Sequence, residues 1–225
     1  LKKYLSERSL SILVGDEGGF APDISPNHDA LTILKATIEN CGYKFAFDVF
    51  LGIDAAANSF KTNEGYKLKD KTTSYTTDEL VEFYKTIFLE FSLMYIEDPF
   101  AEDDWEGWSK VYSALSEKTL IAGDDLTTTN PYRLQLAMEN NAINSVVIKP
   151  TQIGTITEAM AVVEIARYKN MKIIASHRGG ETMDDFIADF AVAIGADYVK
   201  FGAPVRERIV KYNRLVKIAQ ELKKI

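Results

Sequence analysis

One cysteine in 225 residues cannot close an internal disulfide. With no cysteine cluster and only two histidines, the chain also lacks the ligand sets of structural zinc sites. A reducing interior, the cytoplasm, is the expected location. Cys41, just before Gly42 at a helix end, reads as a small core residue. Positive charge is short as well. The 26 Lys and Arg against 33 Asp and Glu leave a net charge of -7 and a pI near 5.0, which argues against nucleic acid or an anionic membrane surface as partner. No apolar run approaches the length that spans a bilayer, so no membrane span is expected. The chain opens on Leu1, and LKKYLSER reads as the end of a helix already under way, so a preceding segment is expected.

What is present is enough for one large core: 46% of residues are hydrophobic and 26% charged, and one domain over 1-225 is the expectation. The central stretch is Ser145 to Gly154, SVVIKPTQIG, where an unbroken apolar run ends in Lys149 and turn residues. A run without alternation is a strand covered on both faces, the habit of parallel sheets with helices outside. Five other stretches repeat the gesture: FLGID with Asp54, LMYIEDP with Glu97 and Asp98, LIAGDD with Asp124 and Asp125, IIASHR with His177 and Arg178, and YVKFGAP with Lys200.

The first of these strands covers about Val49 to Asp54, and the others begin near Ser92, Thr119, Ser145, Met171 and Asp197. Their spacing of roughly 26 residues fits one βα unit with short loops. An earlier helix spans about Asp29 to Cys41, with His28 left at the surface before it, and the polar stretch Lys61 to Tyr75 reads as an excursion or small hairpin. Thr76 with Glu79 forms a capping-box signature, and Asn130 before Pro131, Thr155 before Glu158, and Thr182 with Asp185 mark further helix starts. The last helix covers about Glu207 to Lys223. The fold class is therefore α/β. Six strands, each followed by a helix, read as a (β/α) barrel of the eight-stranded type with about six of its strands present. An open doubly wound sheet is the alternative, but the dinucleotide-binding glycine fingerprint after its first strand is missing.

In a barrel, neighbouring strand ends converge on one mouth. Asp54, Glu97 and Asp124 end three successive strands, and three anions so close call for a cation. Oxygen-only ligation points to Mg2+ or another hard divalent ion. The later strands bring Lys149, His177, Arg178 and Lys200, a basic arc opposite the acidic one, which suits a small polyanionic substrate. Gly179 and Gly180 allow close backbone approach to an anion, and the segment Glu181 to Asp185 opens a helix whose amides favour one. A metal-bound carboxylate facing a lysine implies proton abstraction beside that carboxylate, with Lys149 as base provided that it is neutral. Glu17, in the turn GDEGGFAP, is the candidate acid.

The motifs VGDEGGFAP, GIDAAA, IEDPFAEDDW, GDDL with TN, IKPTQIGT, SHRGGETMDDFIADFAV, VKFGAP and KYNRL, in this order, resemble the C-terminal part of enolases almost end to end. The resemblance implies a truncated enolase-type barrel without the family's N-terminal domain. It implies a lyase interconverting 2-phospho-D-glycerate and phosphoenolpyruvate plus water in glycolysis. Asp54, Glu97 and Asp124 would hold Mg2+, Lys149 would take the C2 proton and Glu17 would help the C3 hydroxyl leave. Lys200 would contact the substrate carboxylate, with Glu97 and Asp124 also at the substrate, and Ser176, His177, Arg178 and Gly179 would line its phosphate side. It further implies a homo-oligomer, a dimer or larger, for the full-length protein. The chain departs from the family at Gly179, where a serine is usual, at Thr151 for asparagine, at Ser59 near a usual glutamate, and by one residue fewer between Ala203 and Lys211. The family's mobile loop and first two barrel strands would lie upstream, so the chain alone is expected to be inactive. Two rival expectations are a noncatalytic binding or structural protein built from an enolase fragment, and an acid-sugar dehydratase or racemase of the same superfamily.

Overall fold

The computed structural model describes residues 1-224. A short helix α1 (Lys2–Glu7) leads into the GDEGG turn, which is pinned by an antiparallel bridge between Val14 and Phe20. Then come α2 (Asn27–Asn40), β1 (Gly52–Asp54) and a 3-10 turn (Ala57–Phe60). A small hairpin follows, β2 (Lys61–Thr62) with β3 (Gly65–Tyr66), then α3 (Thr77–Phe91). From there the βα cadence is regular: β4 (Tyr95–Glu97), α4 (Trp105–Leu115), β5 (Leu120–Gly123), α5 (Pro131–Glu139) and β6 (Ser145–Ile148). It continues with α6 (Pro150–Ile153), α7 (Ile156–Tyr168), β7 (Lys172–Ser176), α8 (Phe186–Ala193), β8 (Tyr198–Lys200), a 3-10 turn (Arg206–Arg208) and α9 (Ile209–Leu222).

Six strands form one all-parallel sheet in the order β1-β4-β5-β6-β7-β8. The sheet is curled into a partial (β/α) barrel. Its two edges, β1 and β8, are not paired, but the Lys200 side chain at the end of β8 reaches across the open side to Asp54 at the end of β1. The curl explains the side-chain pattern. On the concave face Tyr95, Ala122, Val147 and Ile174, one from each of four neighbouring strands, pack together. Their strand neighbours Ile96, Ile121, Val146, Ile148 and Ile173 point outward into the main core under the helices. Both faces are covered, so β6 is buried at every position, as its unbroken apolar run requires.

The helix starts follow from their caps. Thr76 and Glu79 exchange both bonds of a capping box, and Asp104, Asn130 and Thr155 accept from backbone amides one turn on. The fourth expected start differs. α8 begins at Phe186, and the Thr182 hydroxyl accepts from the Asp184 amide instead of capping a helix, so residues 182-185 form a loop rather than a first helical turn. β1 is shorter than expected because the chain turns at Ala46, with a left-handed φ of 57°, and straightens only after Phe50. α2 starts two residues early and takes in His28, whose ring bonds Glu90 at the surface. Cys41 is exposed at the end of α2 and is not a core residue.

Candidate active site

Parallel register places the first pair of carboxylates. Asp54 stands opposite Glu97 across β1 and β4, and Asp124 follows the last residue of β5. Lys200 Nζ donates to Asp54 Oδ2 and to Glu97 Oε1, each at 2.7 Å, while the Tyr95 hydroxyl donates to the other Glu97 oxygen. Lys149 Nζ bonds Asp124 Oδ2, and Asp124 Oδ1 is buried with no hydrogen-bond partner. Carboxylate oxygens of Glu97, Asp98 and Asp124 all lie within 4.8 Å of one another, a buried acidic triad able to hold a metal ion. The sequence pointed to Asp54, Glu97 and Asp124. The structure brings Glu97 and Asp124 together with Asp98, and joins Asp54 to them through the Lys200 ammonium.

Burial dominates the electrostatics of this arc. It pushes the Glu97 carboxyl up to about 8; the Lys200 charge pulls it back down, and Asp54 and Asp124 push it up further. Burial also raises Asp98 to about 7, against the amide donors that favour its charged form. For Lys200, burial works against the ammonium, but Glu97 and Asp54 more than offset it and hold its pKa above the ordinary lysine value. Every anion here is compensated by a lysine, a hydroxyl or backbone amides, except at the bare Asp124 Oδ1.

Opposite the acids, β7 ends in Ser176 and His177. The serine hydroxyl is bonded to the His177 carbonyl, and the imidazole is buried with Nε2 3.4 Å from Glu17 Oε2. Burial lowers the His177 pKa, and the Glu17 charge opposes it. Glu17 is presented by the GDEGG turn, which closes through Gly18 at φ 86°. A Cβ on Gly18 would stand 2.7 Å from Val205 Cγ2, so turn and loop pack only because that residue is glycine. The Ala203 amide donates to the Glu17 carbonyl and fastens the turn to the loop after β8.

The SHRGGET segment is held from beneath by two buried cations at the start of α9. Arg208 Nη2 donates to the Gly179 carbonyl at 2.7 Å, and Lys211 Nζ donates to the carbonyls of Thr182 and Asp184 and pairs with Glu181 at 2.5 Å. Glu181 accepts in turn from the Arg178 amide at 3.0 Å. The exposed Arg178 side chain extends toward Thr151, its Nη1 3.4 Å from that hydroxyl. A cavity of about 590 Å³ lies along this segment, lined by Thr151, His177, Arg178, Gly180 and Lys211 among others.

The sequence of the whole chain, residues 1-225, matches the family model of the enolase C-terminal TIM barrel domain. The chain belongs to the enolase family. Among its relatives is the enolase of Natranaerobius thermophilus, 44% identical over 223 residues, covering 99% of this chain and 52% of the relative. The enolase of Mycobacterium leprae is 42% identical over 224 residues, with 99% and 52% covered, and that of Kineococcus radiotolerans 42% identical over 223 residues, with 99% and 51% covered. The chain thus spans about half the length of the curated relatives it matches. Among the described residues no helix is long and apolar enough to cross a membrane.

Three side chains that shape this enolase-family site were given no role by sequence reasoning. Asp98 was visible as a strand-end acid, but nothing in consecutive acids says which faces the mouth. Arg208 and Lys211 lie in a charged stretch that reads as a solvated helix face, and no sequence signal marks them as buried.

Proposed function

We propose that the chain supplies the catalytic barrel of an enolase-type lyase that interconverts 2-phospho-D-glycerate and phosphoenolpyruvate plus water. The observation that supports it best is the pairing at the strand ends. Two lysines, Lys149 and Lys200, lie against Asp54, Glu97 and Asp124 in a family whose model matches the whole chain. The bare, buried oxygen of Asp124 and the oxygen-only donor set fit Mg2+, with Asp54, Glu97 and Asp124 as its holders. When bound, the ion supplies positive charge where the substrate carboxylate gathers negative charge.

The remaining work belongs to the chain's own side chains. Lys149 Nζ takes the proton from C2 and must be neutral to do so. In the structure its Nζ lies against the Asp124 carboxylate, at the rim where the substrate would enter. The C3–O bond then breaks, and a proton from Glu17 lets the hydroxyl leave as water. Glu17 stands beside His177, across the mouth from the acidic arc. Lys200 exchanges one of its two carboxylates for that of the substrate. Ser176, His177 and Arg178, with the Gly179 backbone, receive the phosphate on the cavity side, where Gly179 offers no hydroxyl. Cytoplasmic location and homo-oligomerisation belong to the same proposal.

We further propose that the chain does not turn over substrate alone, because its sheet stays open between β1 and β8. The test follows phosphoenolpyruvate absorbance with Mg2+ and 2-phosphoglycerate, on the chain alone and on the chain joined to the N-terminal half of the N. thermophilus relative. Activity in the joined protein only is the expected result. A joined protein that folds but stays silent would overturn the lyase and favour a binding role.

A further inference from the structure

Three buried carboxylates within 4.8 Å would ordinarily be read as three ligands. The surroundings of Asp98 argue otherwise. Its Oδ1 accepts from the amides of Asp124 at 3.0 Å and Leu126 at 3.4 Å, and its Oδ2 from the amide of Asp125 at 2.7 Å. Three of the roughly four lone-pair positions of a carboxylate are therefore spent on backbone. Asp124, by contrast, has one oxygen on Lys149 and the other bare.

The backbone of Asp98 is fixed on both sides as well. Its amide donates to the Ala122 carbonyl of β5 at 3.1 Å, and its carbonyl accepts from Ala57, beyond β1, at 3.0 Å. Its φ of 42° lies in the left-handed region, which Asp and Asn tolerate better than other side chains. With Glu97 directed to Lys200 and Tyr95, Asp98 turns across to the end of β5. Three successive amides point at one carboxylate, which leaves little freedom to the backbone that carries Asp124.

We infer that Asp98 is a positioning residue, a carboxylate bracket that sets Asp124 for the cation and is not itself a ligand. The inference rests on the metal reading above only for its functional meaning; the bracket is testable without it. Asp98→Asn keeps size and left-handed tolerance but replaces one acceptor by an NH2 group, which meets a backbone N–H donor to donor.

Mg2+ binding is measured by calorimetry on the chain, on D98N, on D124N and on the double variant. D98N is expected to weaken binding by about 10- to 100-fold, as loss of a partner behind a ligand does. In the D124N background the same change is expected to cost less than about twofold, since residues that act through one another are not additive. Equal losses in both backgrounds would make Asp98 a ligand and overturn the inference, as would unchanged affinity in D98N. If the unsubstituted chain takes up no Mg2+, the metal reading fails. The bracket is then judged by hydrogen exchange: faster exchange at the Asp124, Asp125 and Leu126 amides of D98N supports it, and unchanged exchange overturns it. Should D98N not fold, D98E, which displaces the carboxylate by one methylene, takes its place in both measurements.

Discussion

The two arcs of the mouth are built by opposite means. On the acidic side, Asp54 and Glu97 end their strands in register, so ladder hydrogen bonds position them, and Asp124, directly after β5, gives its amide to the Asp98 carboxylate. On the basic side, Arg178 and its glycines leave the sheet on a loop, which is held by buried cations from a helix almost thirty residues further along the chain. The first arrangement spends lysines to neutralise carboxylates. The second spends a carboxylate, Glu181, and several carbonyls to neutralise lysine and arginine. Rigid strand ends suit a small ion with strict geometry, whereas a tethered loop leaves room for an anion to enter.

The comparison breaks most severely at Lys211. Removing its ammonium in Lys211→Met leaves Glu181 and two carbonyls without their buried donor. By analogy with broken buried pairs the loss is about 3-5 kcal/mol, read as a lowered urea midpoint. A loss below about 1 kcal/mol would mean that the loop does not depend on this anchor.

A second prediction uses pH on the acidic side. Glu97 and Asp98 are raised to about 8 and about 7, so near neutral pH the folded chain holds protons that the unfolded chain has released. With more protons on the folded state, the metal-free chain loses stability from these two groups as pH rises from the ordinary carboxylate range of about 4 to about 7 for Asp98 and about 8 for Glu97. His177, whose pKa is lowered, acts in the opposite sense and costs stability only as pH falls below its ordinary value of about 6.5. Mg2+ affinity runs the other way. It should rise with pH toward 8, with proton release visible as a buffer-dependent binding enthalpy. An affinity flat from pH 6.5 to 8 would show that these carboxylates are already ionised.

Smaller effects sharpen the contrast. Thr76→Ala, far from either arc, should lower stability by about 1 kcal/mol through the lost cap, leaving Mg2+ affinity unchanged. Gly179→Ser should be nearly neutral for stability, within about 0.5 kcal/mol. A Cβ there would meet only Glu17 Oε1, at 3.8 Å. In the joined protein its hydroxyl should lower the KM for 2-phosphoglycerate, and an unchanged KM would place the phosphate elsewhere.

How much of this was legible in the sequence follows the same division. Strands announce themselves by apolar runs, and the residue that ends such a run must stand at the rim, so six strands and Asp54, Glu97, Asp124, Lys149 and Lys200 could be named. The capping residues of α3, α5 and α7 were readable because each bond is local. Loop tethers are not local. Arg208 and Lys211 bury themselves against carbonyls of a loop almost thirty residues away, a contact no periodicity encodes. Thr182 misled for the same reason: its spacing suits a cap, yet Lys211 draws the Thr182 and Asp184 carbonyls away from a helical first turn. The direction of Asp98 was set by one left-handed φ angle, which the order of residues does not display.

The most direct test of the account is exchange of the C2 proton of 2-phosphoglycerate with solvent deuterium, followed by NMR on the joined protein and on its Lys149→Ala variant. The account predicts that exchange is abolished in the variant while calorimetry still shows Mg2+ binding. Exchange continuing at the unsubstituted rate would remove Lys149 from the proton transfer and contradict the mechanism.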